Sequence, residues 1–319
     1  MTEAPVLVIG AGVQGLTCGV VLAEAGMRVR VRTAERSRGT TSAVAGAMWS
    51  PPMADPPGKT QYWATLSHAE FTALARDPDT GVHLCEGRIA SRTRLGEAPE
   101  AKLIPDLRHC GPDDLPEGFA EGIRGTVPLI DMPRYLDHLV ARFREAGGEI
   151  QRSAVRSLAE AVDESSTVVN CSGVGAHELV GDPGVYPVYG QLAVVRNPGV
   201  EEYFMEITGA GELISVMPHG DRLLLGGVKY PHDWGPGPRA KVREGILRRC
   251  AAFDPRLGDV EVIEDLAGLR PGRQAVRVQL ERYSGARVVH DYGHGGNGVA
   301  LSWGCAYEVA DLLADGGSA

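Results

Sequence analysis

The chain of 319 residues sets 32 Lys and Arg against 41 Asp and Glu, a formal charge of −9, with 43% hydrophobic and 23% charged residues. That length supports roughly two domains' worth of core, and the composition excludes a disordered or fibrous chain. The negative balance argues against nucleic acid or an anionic membrane as partner, and no apolar run approaches the roughly eighteen residues of a membrane span.

Residues 6–9, Val-Leu-Val-Ile, read as a buried parallel strand that breaks into Gly10-Ala11-Gly12-Val13-Gln14-Gly15. A helix over 16–25 follows, closed by Gly26, and a second strand over 28–32. In a dinucleotide turn Gly10 makes the tight bend, Gly12 lets the backbone approach a pyrophosphate, and Gly15 lets helix and strand pack closely. Gly19 extends that close-packing face by one turn. The helix start presents unpaired N–H groups and a positive dipole end to the phosphates. A lone G-x-G-x-x-G also occurs in purely structural turns; here the strand, turn, helix, strand context lies within about thirty residues, as dinucleotide binding requires. Glu35, displaced by a residue or two from the strand end, is the candidate for the ribose hydroxyls. Arg32 or Arg36 beside a ribose also suits a 2′-phosphate, so this motif leaves FAD and NADP open.

Residues 37–57 turn to small residues, prolines and glycine, either a spacer or a loop whose Thr40, Thr41 and Ser42 hydroxyls and 43–47 backbone approach an extended cofactor. A helix is expected over 62–75, strands and loops of a second domain over 81–131, and a helix over 135–146 with Leu136, Leu139, Val140 and Phe143 on one face. A short strand at 149–153 returns the chain to the nucleotide domain. Val168-Val169 runs into Asn170-Cys171-Ser172-Gly173, a second place of close backbone approach. Strands follow at 187–195, 214–218 and 223–227, the last two joined as a hairpin through His219-Gly220-Asp221. A helix spans 241–253, the stretch 263–273 ends in Arg270-Pro271-Gly272-Arg273, and 287–310 gives a strand, a Gly-rich loop and a closing helix. Six scattered cysteines with no C-x-x-C pair fit reduced thiols rather than metal binding. The first strand begins by Val6, so no signal peptide is expected and a cytoplasmic location is.

Asp291-Tyr292-Gly293-His294-Gly295-Gly296-Asn297-Gly298, continuing into Leu301-Ser302-Trp303-Gly304-Cys305-Ala306, resembles the C-terminal signature of the D-amino-acid oxidase family. Thr40-Thr41-Ser42, Val44-Ala45-Gly46-Ala47-Met48-Trp49-Ser50-Pro51, Val169-Asn170-Cys171-Ser172-Gly173-Val174, Gly190-Gln191, Leu225-Gly226-Gly227 and Gly268-Leu269-Arg270-Pro271 recur in the same order across nearly the whole chain. The resemblance, to a bacterial member, implies an α/β fold. A Rossmann-like FAD-binding domain would be built from 1–52, 134–188 and 268–319. An α+β substrate domain with a mixed sheet would be built from 53–133 and 189–267. It implies FAD as cofactor, an amino-acid or imino-acid substrate, and dioxygen as oxidant. The reaction implied is hydride transfer from the α-carbon of a D-amino acid to flavin, yielding a 2-oxo acid, ammonia and hydrogen peroxide.

Along the cofactor the expected residues are Gly10, Gly12, Val13, Gln14, Gly15, Glu35, Arg36, Thr40, Thr41, Ser42, Gly46, Ala47, Met48, Val155, Cys171, Ser172, Gly173, Gln191, Arg270, Gly295, Gly296, Asn297, Gly298, Val299 and Ala300. Arg270 is the family's carboxylate anchor, a role that suits a guanidinium. The Gly295–Gly298 loop, with Gly296 and Asn297 nearest the chemistry, offers N–H groups to the flavin ring. His294 is expected to be structural. One departure stands out: alignment on Pro218 and Gly226-Gly227 puts Ser215 where the family places a carboxylate-binding tyrosine, a loss of about 1.5–3 kcal/mol unless another donor replaces it. Tyr203 upstream is a candidate substitute. Ser215 therefore leaves open a relative acting on glycine, N-methyl or cyclic imino acids or a specialised-metabolism intermediate, and also a silent flavoprotein. A homodimer is left open as well.

Overall fold

The structure, a computed structural model, describes residues 4–94 and 103–315. The first apolar run forms β1 (Val6–Ile9), and the glycine turn feeds α1 (Val13–Glu24), which stops before Gly26 at φ 86°. α1 is apolar on every side because it is buried on every side, from Val13 to Ala23. β2 (Val29–Thr33) follows, then two single 3₁₀ turns, Ser37–Gly39 and Thr41–Val44, and β3 (Ala47–Met48). Helix α2 (Pro57–Leu74) starts five residues earlier than its apolar pattern suggested, because Pro57 presets the φ of a first turn. Then come β4 (Val82–Ser91), β5 (Arg108–His109) and β6 (Glu121–Ile130).

Helix α3 (Met132–Glu145) buries Leu136, Leu139 and Phe143 as its periodicity predicts. It is followed by β7 (Glu149–Arg152), α4 (Leu158–Glu164) capped by the Ser157 hydroxyl, β8 (Thr167–Asn170) and the short α5 (Ala176–Leu179). The second half holds β9 (Tyr186–Arg196), β10 (Tyr203–Ile207), β11 (Glu212–His219), β12 (Arg222–Val228), β13 (Tyr230–Pro231), α6 (Ala240–Phe253) and β14 (Val262–Gly272). β15 (Arg277–Tyr283), β16 (Ala286–Tyr292) and α7 (Gly298–Asp315) close the chain.

These strands form two sheets. The first has the order β15-β16-β8-β1-β2-β7, parallel except for the β15–β16 hairpin. The second, mixed sheet runs β13-β9-β12-β11-β10-β4-β6-β3, with β14 along β9 and β5 along β6. Helices α1, α3 and α7 pack together beside the first sheet, and an added Cβ at Gly19 would lie 3.1 Å from the Phe143 ring, which is how α1 and α3 approach so closely. Helix α6 covers the outer face of the second sheet through Ile246 and Cys250. The α/β class with a Rossmann-like sheet and a mixed sheet is thus the observed one. β9 and β14 pair at ten positions, from Val195↔Val262 through Gly190↔Gly268 to Tyr186↔Gly272, and run straight across the divisions expected at 188/189 and 268.

Candidate active site

The carboxyl ends of β1, β2 and β8 open onto one cleft of about 710 Å³, where an open parallel sheet binds its ligand. Gly10, at φ 105°, turns the chain out of β1; an added Cβ there would lie 2.6 Å from the Cys171 carbonyl at the end of β8. At Gly15 it would lie 1.9 Å from the Gly10 carbonyl, so this glycine packs beneath the turn rather than facing the cleft. Gly12 faces the Ser42 hydroxyl, 3.0 Å from its would-be Cβ, and that hydroxyl accepts the Val13 N–H at 3.0 Å. The loop of small hydroxyl residues is therefore docked directly on the first turn of α1.

A second helix start converges on the same place. Gln14 donates its side-chain N–H to the Gly298 carbonyl at 2.8 Å, tying the start of α1 to the start of α7. Among the described residues its Oε1 and the Ser172 hydroxyl, both buried, have no hydrogen-bond partner. Gly295, at φ 55°, donates its N–H to the Pro271 carbonyl at 2.8 Å and so pins the Gly-rich loop to β14. Two helix dipoles, a glycine cradle and orphaned polar atoms are what an extended, phosphate-bearing cofactor requires.

Arg270 stands at the far end. Its guanidinium donates to the Val228 carbonyl at 3.1 Å and the Tyr189 carbonyl at 3.4 Å, lies over Gly190, and has Gly296 against its stem. Among the described residues no carboxylate pairs with it. Protein crowds it on the sides away from the cleft, and this desolvation lowers its pKa from the usual arginine value. A guanidinium held by carbonyls alone and opening on a cleft is set to bind an acid group.

The cleft gathers Gly10, Gly12, Val13, Gln14, Glu35, Thr40, Thr41, Ser42, Val155, Cys171, Ser172, Gly173, Arg270, Gly295, Gly296, Gly298 and Val299. Glu35 lies at its open end, 3.6 Å from Arg152. Arg36, Gly46, Ala47, Met48, Asn297 and Ala300 fall outside its lining. Gly46 instead permits the loop to touch the second sheet, its would-be Cβ 2.8 Å from Leu192. Gln191 is placed on the opposite strand face from Gly190 and Leu192, where its amide accepts from Tyr189 and Arg239 and donates to the Arg239 carbonyl.

Ser215 is buried on β11 opposite Gly226, and its hydroxyl makes no hydrogen bond among the described residues. Tyr203 gives its hydroxyl to the Gly125 carbonyl inside the second sheet and does not replace the missing tyrosine. Arg32, one of the two arginines that left a 2′-phosphate open, is consumed: it bonds Ser153, Ala154, Glu160 and Glu164.

His294 is buried, with Nε2 3.1 Å from Asp291 and 3.6 Å from the Cys305 thiol, and it also lines the cleft. The Cys18 and Cys171 thiols also point at Asp291, at 3.3 and 3.7 Å. The sequence reading missed Ala154, Arg156, Leu179, Leu269 and Asp291 along the cleft. Only the three-dimensional meeting of β7, α5 and β14 brings them there.

A dinucleotide cleft that ends in an acid-seeking arginine defines a dinucleotide-dependent oxidoreductase. The chain belongs to the FAD dependent oxidoreductase family, whose family model matches residues 5–312. It is similar to the D-amino-acid oxidase of Rubrobacter xylanophilus, 43% identical over 97% of this chain and 95% of that protein. It is also similar to that of Streptomyces coelicolor, 44% identical over 97% of each. Among solved structures, glycine oxidase from Bacillus cereus superposes with a TM-score of 0.81 at 19% identity, over 98% of this chain and 96% of that one, which is a likeness of fold. The protein is an FAD-dependent oxidoreductase, and the resemblance to the D-amino-acid oxidase family is borne out. No helix among the described residues is long and apolar enough to cross a membrane.

Proposed function

We propose that the protein oxidises a D-amino acid to its imino acid, which hydrolyses to the 2-oxo acid and ammonia, with dioxygen as the final acceptor and hydrogen peroxide as product. The observation that carries this reading is Arg270, a carboxylate-binding side chain without a carboxylate, beside the glycine loop that ends the cofactor cleft. The 43–44% identity to named D-amino-acid oxidases over nearly the whole chain supports the substrate class. FAD, when bound, supplies the hydride acceptor. The chain's own work is positional. Gly10, Gly12, Ser42, Ser172 and the starts of α1 and α7 would hold the diphosphate, and Glu35 the ribose. Arg270 would pin the substrate carboxylate so that the α-carbon is presented to the ring. No side-chain base is required when the amine arrives neutral. We place the protein in the cytoplasm, in keeping with its free thiols.

The test is a peroxide-release screen over D-amino acids, glycine and cyclic imino acids, run on wild type and Arg270→Ala. Truncating a desolvated charge partner costs about 2–5 kcal/mol, so kcat/KM should fall roughly 30- to 5,000-fold while FAD stays bound. Unchanged kinetics would remove Arg270 from the site, and turnover of glycine or secondary amines alone would replace the substrate class.

A further inference from the structure

Behind the glycine loop lies a buried knot of carboxylate, imidazole and thiol. Asp291 comes from the end of β16, His294 from the loop and Cys305 from α7, and none is more than 3% exposed. Their ligand atoms, a carboxylate oxygen, a ring nitrogen and a sulfur, lie within 4.8 Å of one another. The His294 Nε2 is 3.1 Å from the Asp291 Oδ1 and 3.6 Å from the Cys305 Sγ. Held on one tetrahedral zinc ion at ordinary bond lengths, nitrogen and oxygen stand about 3.4 Å apart and nitrogen and sulfur about 3.6 Å apart. The three groups already have the spacing of a coordination shell.

Hydrogen bonding does not account for this convergence. Among the described residues the buried Asp291 Oδ1 has no hydrogen-bond partner, so its close approach to Nε2 lacks the alignment of a hydrogen bond. The Cys18 and Cys171 thiols donate to the other oxygen, Oδ2, at 3.3 and 3.7 Å. They hold the plane of the carboxylate, as the outer partners of a metal-binding carboxylate do, and leave Oδ1 facing the imidazole. Charge also balances: a divalent cation, a carboxylate, a thiolate and a neutral imidazole sum to zero, which suits a dry interior. Burial keeps the Cys305 thiol protonated in the metal-free chain, and an arriving ion takes the place of that proton. No C-x-x-C spacing announces the set, because each ligand belongs to a different element.

We propose that Asp291, His294 and Cys305 form a site for one thiophilic divalent cation of the zinc class, which braces the glycine loop between β16 and α7. Asp291 and His294 also line the cleft, and this gives the ion its way in.

Flavin-loaded wild type purified from zinc-supplemented medium should carry one zinc per chain by elemental mass spectrometry. Equilibration with Cd²⁺ should produce a thiolate-to-cadmium charge-transfer band, and added Zn²⁺ should raise the thermal unfolding midpoint. Ion and band should survive Cys110→Ser, which removes the partly open thiol outside the site, and should be lost in Cys305→Ser. Cys18→Ala takes away only an outer partner, so one ion per chain should remain with its Kd raised roughly 10- to 100-fold. Zinc held with unchanged Kd in Cys305→Ser, or lost in Cys110→Ser, overturns the assignment. A wild type with neither stoichiometric zinc nor the cadmium band overturns it without recourse to any variant.

Discussion

Gly12 meets the Ser42 hydroxyl so closely that a larger side chain has nowhere to go except into the cleft. Gly12→Leu should therefore yield protein purified without yellow colour, measured as flavin absorbance per chain; full occupancy would contradict the pyrophosphate assignment. Arg32 tests the cofactor from the other side. Its four partners make it a clamp between β2, the 153–154 segment and α4. Its guanidinium is nearly enclosed while Glu160 and Glu164 remain partly solvated, so Arg32→Met should cost about 1–3 kcal/mol in urea unfolding. It should not create or abolish any use of NADPH.

His219, with neither ring nitrogen hydrogen-bonded among the described residues, is pushed by burial down to about 4 from its ordinary value near 6.5. The unfolded chain then binds a proton between those values that the folded chain refuses. Stability is complete above pH 6.5 and declines as pH falls toward 4, by about 3 kcal/mol in all. His219→Phe should flatten that part of the acid limb when unfolding is followed across pH.

At the scale of elements, the site is a meeting of two helix starts, and Gln14 is the bridge between them. Gln14→Leu leaves the Gly298 carbonyl unpaired and should raise the Kd for FAD about 5- to 30-fold by flavin-fluorescence titration, equivalent to roughly 1–2 kcal/mol. The two glycine turns and their helices were legible in the sequence because each is local: a strand, a turn and a helix within thirty residues carry their own signal. Arg270 was legible only as a residue type. Its place depends on β14 lying along β9 in the register Arg270↔Val188, a pairing of segments some eighty residues apart that no local pattern announces. Gln191 shows the cost of missing that register. The resemblance carried by Gly190-Gln191 put Gln191 along the cofactor, but a single step along a strand turns a side chain to the other face. Glu35 falls beyond the expected strand end for a simpler reason: β2 runs on through Thr33.

For the molecule as a whole, we propose that the functional division follows the sheets. The parallel sheet carries the cofactor and the mixed sheet covers it, with β14 and the 293–297 loop as the seam that holds Arg270 against Gly296.

The placement of the cysteines acquires meaning once peroxide is the product. Five of the six, Cys18, Cys85, Cys171, Cys250 and Cys305, are buried. Burial pushes Cys85 and Cys171 up to about 11 and Cys250 to about 12, and Cys18 and Cys305 are raised well above the usual thiol range, Cys18 first of all by its bond to Cys171. Peroxide attacks the thiolate, and these side chains hold almost none at neutral pH. Only Cys110 is partly open to solvent, so peptide mass spectrometry after prolonged turnover should find sulfenic or sulfinic acid there before anywhere else. An interior rich in sulfur is thus compatible with continuous manufacture of an oxidant: self-inflicted damage is confined to the rim, and the endurance of the catalyst is set by how rarely its core breathes.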